Sequence, residues 1–209
     1  MMKPLLIWDL DGTLVDSRRD LAEAGNAARA YLGLPPLPIE TVSSYVGDGL
    51  MKLIERLTPD TPTPARLEAR AAFERAYQDT CTVHTRPFPG IPETLEKLQA
   101  LGWTQAVATN KGLAFSLRIL AGLRLTRFFD DVQGGDGPKK PDPTQLLTIS
   151  RLLHGDLSKS WMIGDHHTDI RAGRAAGTRT LLVRWGMGHP DGERADAEAV
   201  HPADILRIV

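Results

Sequence analysis

The feature that most constrains the fold is an apolar run that ends abruptly in two carboxylates. Leu5-Leu6-Ile7-Trp8 is followed at once by Asp9-Leu10-Asp11-Gly12-Thr13. A short apolar run of this kind predicts a strand buried on both faces, and parallel strands bind ligands at their carboxyl ends. Gly12 permits a turn, so the two acids can converge on one small volume. Carboxylates this close repel unless a cation lies between them, and oxygen ligands favour Mg²⁺.

Length and charge limit the classes of function. The 209 residues, 42% of them hydrophobic, can bury one substantial core and a smaller inserted one. A net charge of −1 provides no broad field for nucleic acid or an anionic membrane. We therefore expect a small substrate and no nucleic-acid or membrane partner. A monomer or a homodimer is expected, and charge does not decide between the two.

Cysteine content and hydropathy indicate the compartment. Cys81 is the single cysteine of the sequence, so an intramolecular disulfide is excluded. The first apolar run is too short for the core of a signal peptide, and no stretch approaches the length of a membrane span. We expect a cytoplasmic protein.

After the first strand, the sequence pattern becomes helical. Helical periodicity predicts three segments: 18–32, the residues around 50–57, and about 64–78. Ser17 is the expected N-cap of the first segment, and Leu67 is expected to face inward on the third. No strand pattern occurs between Asp16 and Arg86, which predicts an all-helical insertion.

Beyond Pro87, helices and strands alternate as a doubly wound parallel sheet requires. The expected helices are 91–101, 112–121, 142–153 and 169–176, and the expected strands are 105–108, 129–132, 161–163 and 180–183. The tail after Gly188 is expected to be irregular until 205–209, and no chemistry is assigned to it. These elements predict an α/β fold.

Four stretches, in order along the chain, resemble the signatures of the haloacid dehalogenase superfamily in its phosphatase branch. They are Ile7 to Ser17 (IWDLDGTLVDS), Ala108 to Lys111 (ATNK), Lys140 to Pro143 (KPDP) and Gly164 to Asp169 (GDHHTD). An isolated aspartate pair is usually a turn or a helix cap, but four ordered matches argue against that interpretation. The resemblance implies a Rossmann-like doubly wound parallel sheet core, formed by 1–15 and 87–209. It also implies an inserted α-helical cap domain, formed by 16–86.

The resemblance also implies roles for residues of the first two stretches. Asp9 matches the nucleophile that forms an aspartyl-phosphate. Asp11 matches the general acid and base, and its backbone carbonyl is expected to bind Mg²⁺. Thr109 and Asn110 are expected to bind phosphoryl oxygens through the hydroxyl and a backbone N–H at a strand-to-helix turn.

The last two stretches complete the expected site. Lys140 would balance the negative charge, and it is preferred over Lys139 because the family's lysine immediately precedes Pro-x-Pro. Asp165 matches the acid that completes the metal shell. Asp169 is expected to orient Lys140 or a metal-bound water, and a plain helix N-terminal position is the alternative.

Two histidines depart from the family pattern, which often has a small hydroxyl residue after the acid of its last motif. Adjacent side chains diverge and the other ligands are oxygen, so His166 and His167 give little support to zinc. We expect His166 at the rim of the site and His167 in solvent. Arg171, Arg174 and Arg179 fit a solvated helix face rather than a nucleic-acid surface.

The helical insertion carries the weaker signal for the substrate. Tyr45 to Leu57 and Thr85 to Leu95 resemble the matching segments of phosphoglycolate phosphatases. Gly47 and Gly49 would let this loop approach the site closely. Three cations could hold a substrate carboxylate, although each also fits an ordinary surface position: Arg19, Lys52 and Arg56.

The resemblance implies a Mg²⁺-dependent phosphatase that hydrolyses a small phosphomonoester, with 2-phosphoglycolate as the best candidate. A phosphomutase of the β-phosphoglucomutase type is the first alternative, but its Arg/Lys-rich cap loop is not found at Tyr45 to Gly49. A non-catalytic phosphate-binding protein is the second. It would tolerate the loss of Asp11, Thr109 or Lys140, and the sequence keeps all three.

Overall fold

The computed structural model describes residues 2–209; Met1, the first residue of the expected core, lies outside the described residues. The strands are β1 Leu5–Trp8, β2 Val15–Asp16, β3 Arg86–Pro87, β4 Thr104–Ala108, β5 Asp131–Gln133, β6 Trp161–Gly164, β7 Arg179–Val183 and β8 Ala197–Ala199. The α-helices are α1 Arg18–Tyr31, α2 Ile39–Ser43, α3 Leu50–Leu57, α4 Thr63–Thr80, α5 Ile91–Ala100, α6 Leu113–Gly122, α7 Thr144–Leu153, α8 His167–Ala176 and α9 Ile205–Ile208.

Six strands form one parallel sheet in the order β5-β4-β1-β6-β7-β8. The central strand β1 is fully buried, and its side chains alternate between the two faces. Leu6 and Trp8 pack into one apolar cluster, whereas Leu5 and Ile7 pack into a second. Helices therefore cover both faces of the sheet, which confirms the predicted α/β class. Because β1 has a strand on either side, its carboxyl end lies between the carboxyl ends of β4 and β6.

Helices α1 to α4 are inserted between β2 and β3, which pair antiparallel and so bring the two ends of the insertion together. The predicted helices α1, α3 and α4 are present, and the short α2 after Pro38 was not predicted. A five-residue helix provides too few turns for its periodicity to be recognised.

Two expectations about the side chains of this insertion need correction. Ser17 holds the N-cap position of α1 as expected, but its hydroxyl donates to Asp11 Oδ1 at 2.6 Å and makes no capping hydrogen bond. Leu67 is 50% exposed, because Phe73 and Tyr77 lie on the buried face of α4 instead. The two large aromatic side chains determine which face of α4 is buried.

The tail after Gly188 is more ordered than expected, because β8 adds a sixth strand beside β7. Asp196 Oδ2 accepts hydrogen bonds from the backbone N–H and the hydroxyl of Thr180, at 2.7 and 2.8 Å. The sequence Ala-Glu-Ala contains no β-branched residue, so neither propensity nor pattern indicated this strand. Within residues 2–209, no helix combines the length and apolar character needed to cross a membrane.

Candidate active site

Three of the predicted site residues lie together at the carboxyl edge of the sheet. Asp9, Thr109 and Asp165 directly follow β1, β4 and β6, which are adjacent strands. The Asp9 N–H donates to Ile163 O at 2.9 Å, so the main chain still pairs with the neighbouring strand where the acid begins. The sheet itself therefore fixes the spacing of these side chains.

The Asp165 carboxylate is held by a loop that follows β7. Asp165 Oδ2 accepts from the N–H groups of Met187 and Gly188 at 2.9 and 2.7 Å, and Thr13 Oγ1 donates to Oδ1 at 3.3 Å. A Cβ on Gly12 would lie 2.1 Å from Asp165 Oδ2, and Gly12 has a φ of +84°. Glycine is required here for two reasons, the left-handed turn and the close approach of the carboxylate.

Lys140 lies between two of the acids. Its Nζ is 2.8 Å from Asp9 Oδ1 and 2.6 Å from Asp169 Oδ1, and its side chain is 1% exposed, whereas Lys139 is exposed. Burial opposes the charge, but the two carboxylates overcome that effect and raise the pKa of Lys140. Asp169 Oδ2 also accepts from the His166 N–H at 3.0 Å, in a capping box at the start of α8. Asp169 therefore combines the two alternatives that the sequence left open, orienting Lys140 and occupying the helix N-terminus.

The acids form a cluster whose charge Lys140 balances only in part. Oxygens of Asp9, Asp165 and Asp169 lie within 4.8 Å of one another. Burial raises the pKa of Asp9 to about 6, with Lys140 opposing and Asp169 adding to the shift. Burial raises the pKa of Asp165 to about 8, and repulsion from Asp9 and Asp169 adds to it. An all-oxygen donor set with surplus negative charge fits a hard divalent cation.

Asp11 has a partner that the sequence analysis overlooked. Lys111 Nζ lies 2.9 Å from Asp11 Oδ2 and 3.2 Å from Oδ1, and Ser17 Oγ donates to Oδ1 as well. The Lys111 side chain is 7% exposed, and its ammonium lies 4.6 Å from the centroid of the Tyr77 ring. Lys111 directly follows Thr109-Asn110 in the second signature stretch. That position was the one indication in the sequence that Lys111 lies at the site.

Thr109 and Asn110 are both buried at the expected turn, but the Asn110 side chain has an additional role. Asn110 Nδ2 donates to Lys140 O at 2.9 Å and to Gly47 O at 2.8 Å. It therefore joins the sheet edge to the loop of the helical insertion. Thr109 Oγ1 accepts from the Lys111 N–H at 3.2 Å.

The expected positions of the two histidines are wrong. His166 is buried, its Nδ1 lies 3.0 Å from Thr168 Oγ1, and burial lowers the pKa of His166 to about 4. His167 is half-buried, with its ring centroid 4.0 Å from that of His166. The cause is the loop of the insertion, since a Cβ on Gly47 would lie 2.7 Å from His166 Nε2. Gly47 indicated a close approach of this loop to the site, but no residue pattern indicated that the loop would cover His166.

A cavity of about 420 Å³ lies between this sheet edge and the helical insertion. Asp9, Asp11 and Lys111 line it from the sheet edge, and Phe73 and Tyr77 line it from α4. A cavity of this size suits a small ligand.

The three cations considered for a substrate carboxylate are instead paired on the surface. Arg19, Lys52 and Arg56 are ion-paired with Glu23, Glu55 and Asp48 at 3.0, 2.8 and 2.5 Å, with cation side chains 59%, 62% and 39% exposed. Their surroundings match the alternative of ordinary surface positions.

Comparison with known proteins identifies the family. Residues 6–183 match the family model described as haloacid dehalogenase-like hydrolase. Two relatives are named phosphoglycolate phosphatase: one from Aquifex aeolicus, 36% identical over 98% of this chain and 96% of its own, and one from Neisseria meningitidis, 40% identical over 87% and 80%. A crystal structure described as a predicted phosphoglycolate phosphatase from Haemophilus somnus superposes with a TM-score of 0.93 at 27% identity, covering 100% of this chain and 98% of that one. The chain belongs to the haloacid dehalogenase-like hydrolase family.

Proposed function

We propose that this protein is a Mg²⁺-dependent phosphatase that hydrolyses a small phosphomonoester, best represented by 2-phosphoglycolate, through an aspartyl-phosphate on Asp9. The observation that carries the proposal is the pairing of two different carboxylates at one cavity. Asp9 contacts Lys140 and the acid cluster, whereas Asp11 lies apart from that cluster, beside Lys111. The two carboxylates are therefore suited to different tasks, as nucleophile and as acid or base.

In the first half-reaction, an Asp9 carboxylate oxygen forms a bond to phosphorus while the bond from phosphorus to the leaving oxygen breaks. A pKa of about 6 leaves Asp9 ionised at neutral pH and thus able to act as a nucleophile. Asp11 would give its proton to the leaving alcohol, and Lys140 would offset the charge on Asp9 and on the phosphoryl group.

In the second half-reaction, Asp11 would remove a proton from water, whose oxygen attacks phosphorus. The bond from phosphorus to Asp9 breaks, inorganic phosphate leaves, and both carboxylates return to their starting states. Thr109 and the backbone at Asn110 would bind the phosphoryl oxygens through both steps. Bound by Asp9, Asp165 and the Asp11 carbonyl, Mg²⁺ would supply neutralisation of the phosphoryl charge.

The substrate and the domain arrangement belong to the same proposal. Relatives of 36% and 40% identity carry the name phosphoglycolate phosphatase, and the cavity is of a size for a small metabolite. We assign 1–15 and 87–209 to a core domain and 16–86 to a cap domain. The cap would open on the β2–β3 stalk to admit substrate and close to exclude water from the acyl phosphate.

Release of phosphate from a panel of small phosphates tests the proposal. We expect turnover of 2-phosphoglycolate in Mg²⁺ and loss of turnover in excess chelator. The larger Ca²⁺ should substitute poorly, and Asp9→Asn should have no turnover. Full activity in chelator, or in Asp9→Asn, would contradict the site. Isomerisation of a sugar phosphate without phosphate release would instead favour the phosphomutase.

A further inference from the structure

The cavity has one cation that is both buried and bound to a catalytic group. Among residues 2–209, three lysine or arginine side chains line it. Lys139 is exposed, and Arg70 is partly exposed and bonded to Glu74 at 2.9 and 3.0 Å. Lys111 is 7% exposed and contacts the carboxylate proposed as the acid and base.

The contact between Lys111 and Asp11 conflicts with the chemistry proposed for Asp11. Both carboxylate oxygens accept hydrogen bonds from the ammonium, and Oδ1 also accepts from Ser17. A carboxylate occupied in this way cannot donate a proton to a leaving oxygen. The ion pair must therefore open when a productive substrate binds.

A buried hydroxyl without an acceptor lies beside the same ammonium. Tyr77 is 1% exposed and lines the cavity, and within residues 2–209 no group accepts a hydrogen bond from its hydroxyl. Burial raises the pKa of Tyr77, so the hydroxyl stays protonated and available as a donor. A buried donor without a partner is costly, and an anionic ligand group at this position would satisfy it.

We infer that Lys111 and Tyr77 form a subsite for a second anionic group of the substrate, a carboxylate one carbon from the leaving oxygen. This inference rests on the proposed function. Asp11 must face the leaving oxygen, and a carboxyl carbon attached through one methylene lies about 2.4 Å from that oxygen by standard bond lengths. Such a carboxylate reaches the Lys111 ammonium beside Asp11. The substrate carboxylate draws the ammonium away from Asp11 and so frees Asp11 for proton transfer. Selectivity for the substrate carboxylate and activation of Asp11 then depend on the same contact, the one between that carboxylate and Lys111.

The subsite makes a prediction about ratios of kcat/KM. The test compares 2-phosphoglycolate with ethyl phosphate, which carries a methyl group in place of the carboxylate. Loss of one hydrogen bond to a charged group corresponds to a reduction in kcat/KM of about 10- to 100-fold. We expect Lys111→Met to reduce the ratio of kcat/KM for the two substrates by that factor, and Tyr77→Phe to reduce it by about tenfold, the lower end of the same range. Lys111→Arg should restore part of the ratio, because it restores the charge.

Lys139→Met is the matched control, since it removes an exposed cation from the same cavity, and its ratio should stay within about twofold of wild type. An equal loss on both substrates in Lys111→Met would show a purely structural or catalytic role and overturn the subsite. An unchanged ratio in both Lys111→Met and Tyr77→Phe would overturn it as well. If Lys111→Met fails to fold, Lys111→Arg and Tyr77→Phe decide by the same ratio. If the wild-type protein hydrolysed neither substrate, the proposed function would be rejected, and the subsite would be rejected with it.

Discussion

Replacing Asp165 with asparagine should stabilise the metal-free protein at neutral pH and remove its stabilisation by Mg²⁺. The carboxylate is 4% exposed and lies in a cluster with Asp9 and Asp169. An amide oxygen can still accept from the N–H groups of Met187 and Gly188, so the substitution removes charge but keeps those two hydrogen bonds. Burial and repulsion from Asp9 and Asp169 both make an ionised carboxylate costly at this position, and an amide does not carry that cost. The gain should therefore exceed the loss of other contacts.

The magnitude follows from the shifted pKa of Asp165. The pKa rises from 3.8 to about 8 in the folded protein. A group with a raised pKa gives its full contribution to the free energy of unfolding below pH 3.8, and that contribution is lost as the pH rises through about 8. At pH 7 the folded protein retains a proton that the unfolded chain releases, a difference of at most about 4 kcal/mol. Relaxation of the cluster reduces this value, and we expect about 2 kcal/mol.

Urea unfolding in excess chelator, at pH 5 and pH 7.5, measures the effect. Asp165→Asn should raise the free energy of unfolding more at pH 7.5 than at pH 5, and Asp130→Asn, at an exposed position, should change it little at either pH. Mg²⁺ at about 100 times its Kd should add about 2.7 kcal/mol to wild type but little to Asp165→Asn. A less stable Asp165→Asn at pH 7.5 without metal, or equal stabilisation of both proteins by Mg²⁺, would refute this account of the cluster.

Three further predictions concern the acid and base, the insertion loop and a buried carboxylate. Asp11→Asn should slow both half-reactions by about 10²- to 10⁴-fold in rapid-quench kinetics, because each needs proton transfer. Gly47→Ala should lower kcat/KM by about tenfold or more, since its φ is +128° and a Cβ would clash with His166. Gly33→Ala is its control, because it has a positive φ but open space around it, and kcat/KM should be unchanged. Asp20→Asn should lower the free energy of unfolding by about 3 kcal/mol, because Asp20 is fully buried and accepts hydrogen bonds from three donors of the chain returning to the sheet.

Features set by local pattern were predictable from the sequence. The run Leu5 to Trp8 is apolar on both faces, and it forms the central strand of the parallel sheet. The helix expected at 169–176 ends at Ala176 as predicted, and Gly177 follows it in a left-handed conformation. The convergence of Asp9 and Asp165 follows because acids after adjacent parallel strands meet at one edge.

Features that depend on contacts distant in sequence were not predictable. β8 forms because Ala197 to Ala199 lie beside β7, not because of their own propensity. His166 is buried by a loop more than one hundred residues earlier in the chain, and Lys111 meets Asp11 across about as many residues. Only the fold brings these pairs together, so a single sequence carries no local signal for them.

The most direct test of the account is to locate the phosphorylated residue. Asp11→Asn mixed with an aryl phosphate and Mg²⁺ should accumulate the intermediate, because an activated leaving group needs no acid whereas hydrolysis still needs the base. Borohydride reduction after an acid quench converts an acyl phosphate to homoserine, which mass spectrometry of the peptides locates. We predict homoserine at Asp9 and no such product from Asp9→Asn. Homoserine at another carboxylate would contradict Asp9 as the nucleophile. Turnover of the aryl phosphate without homoserine at Asp9 would contradict it as well.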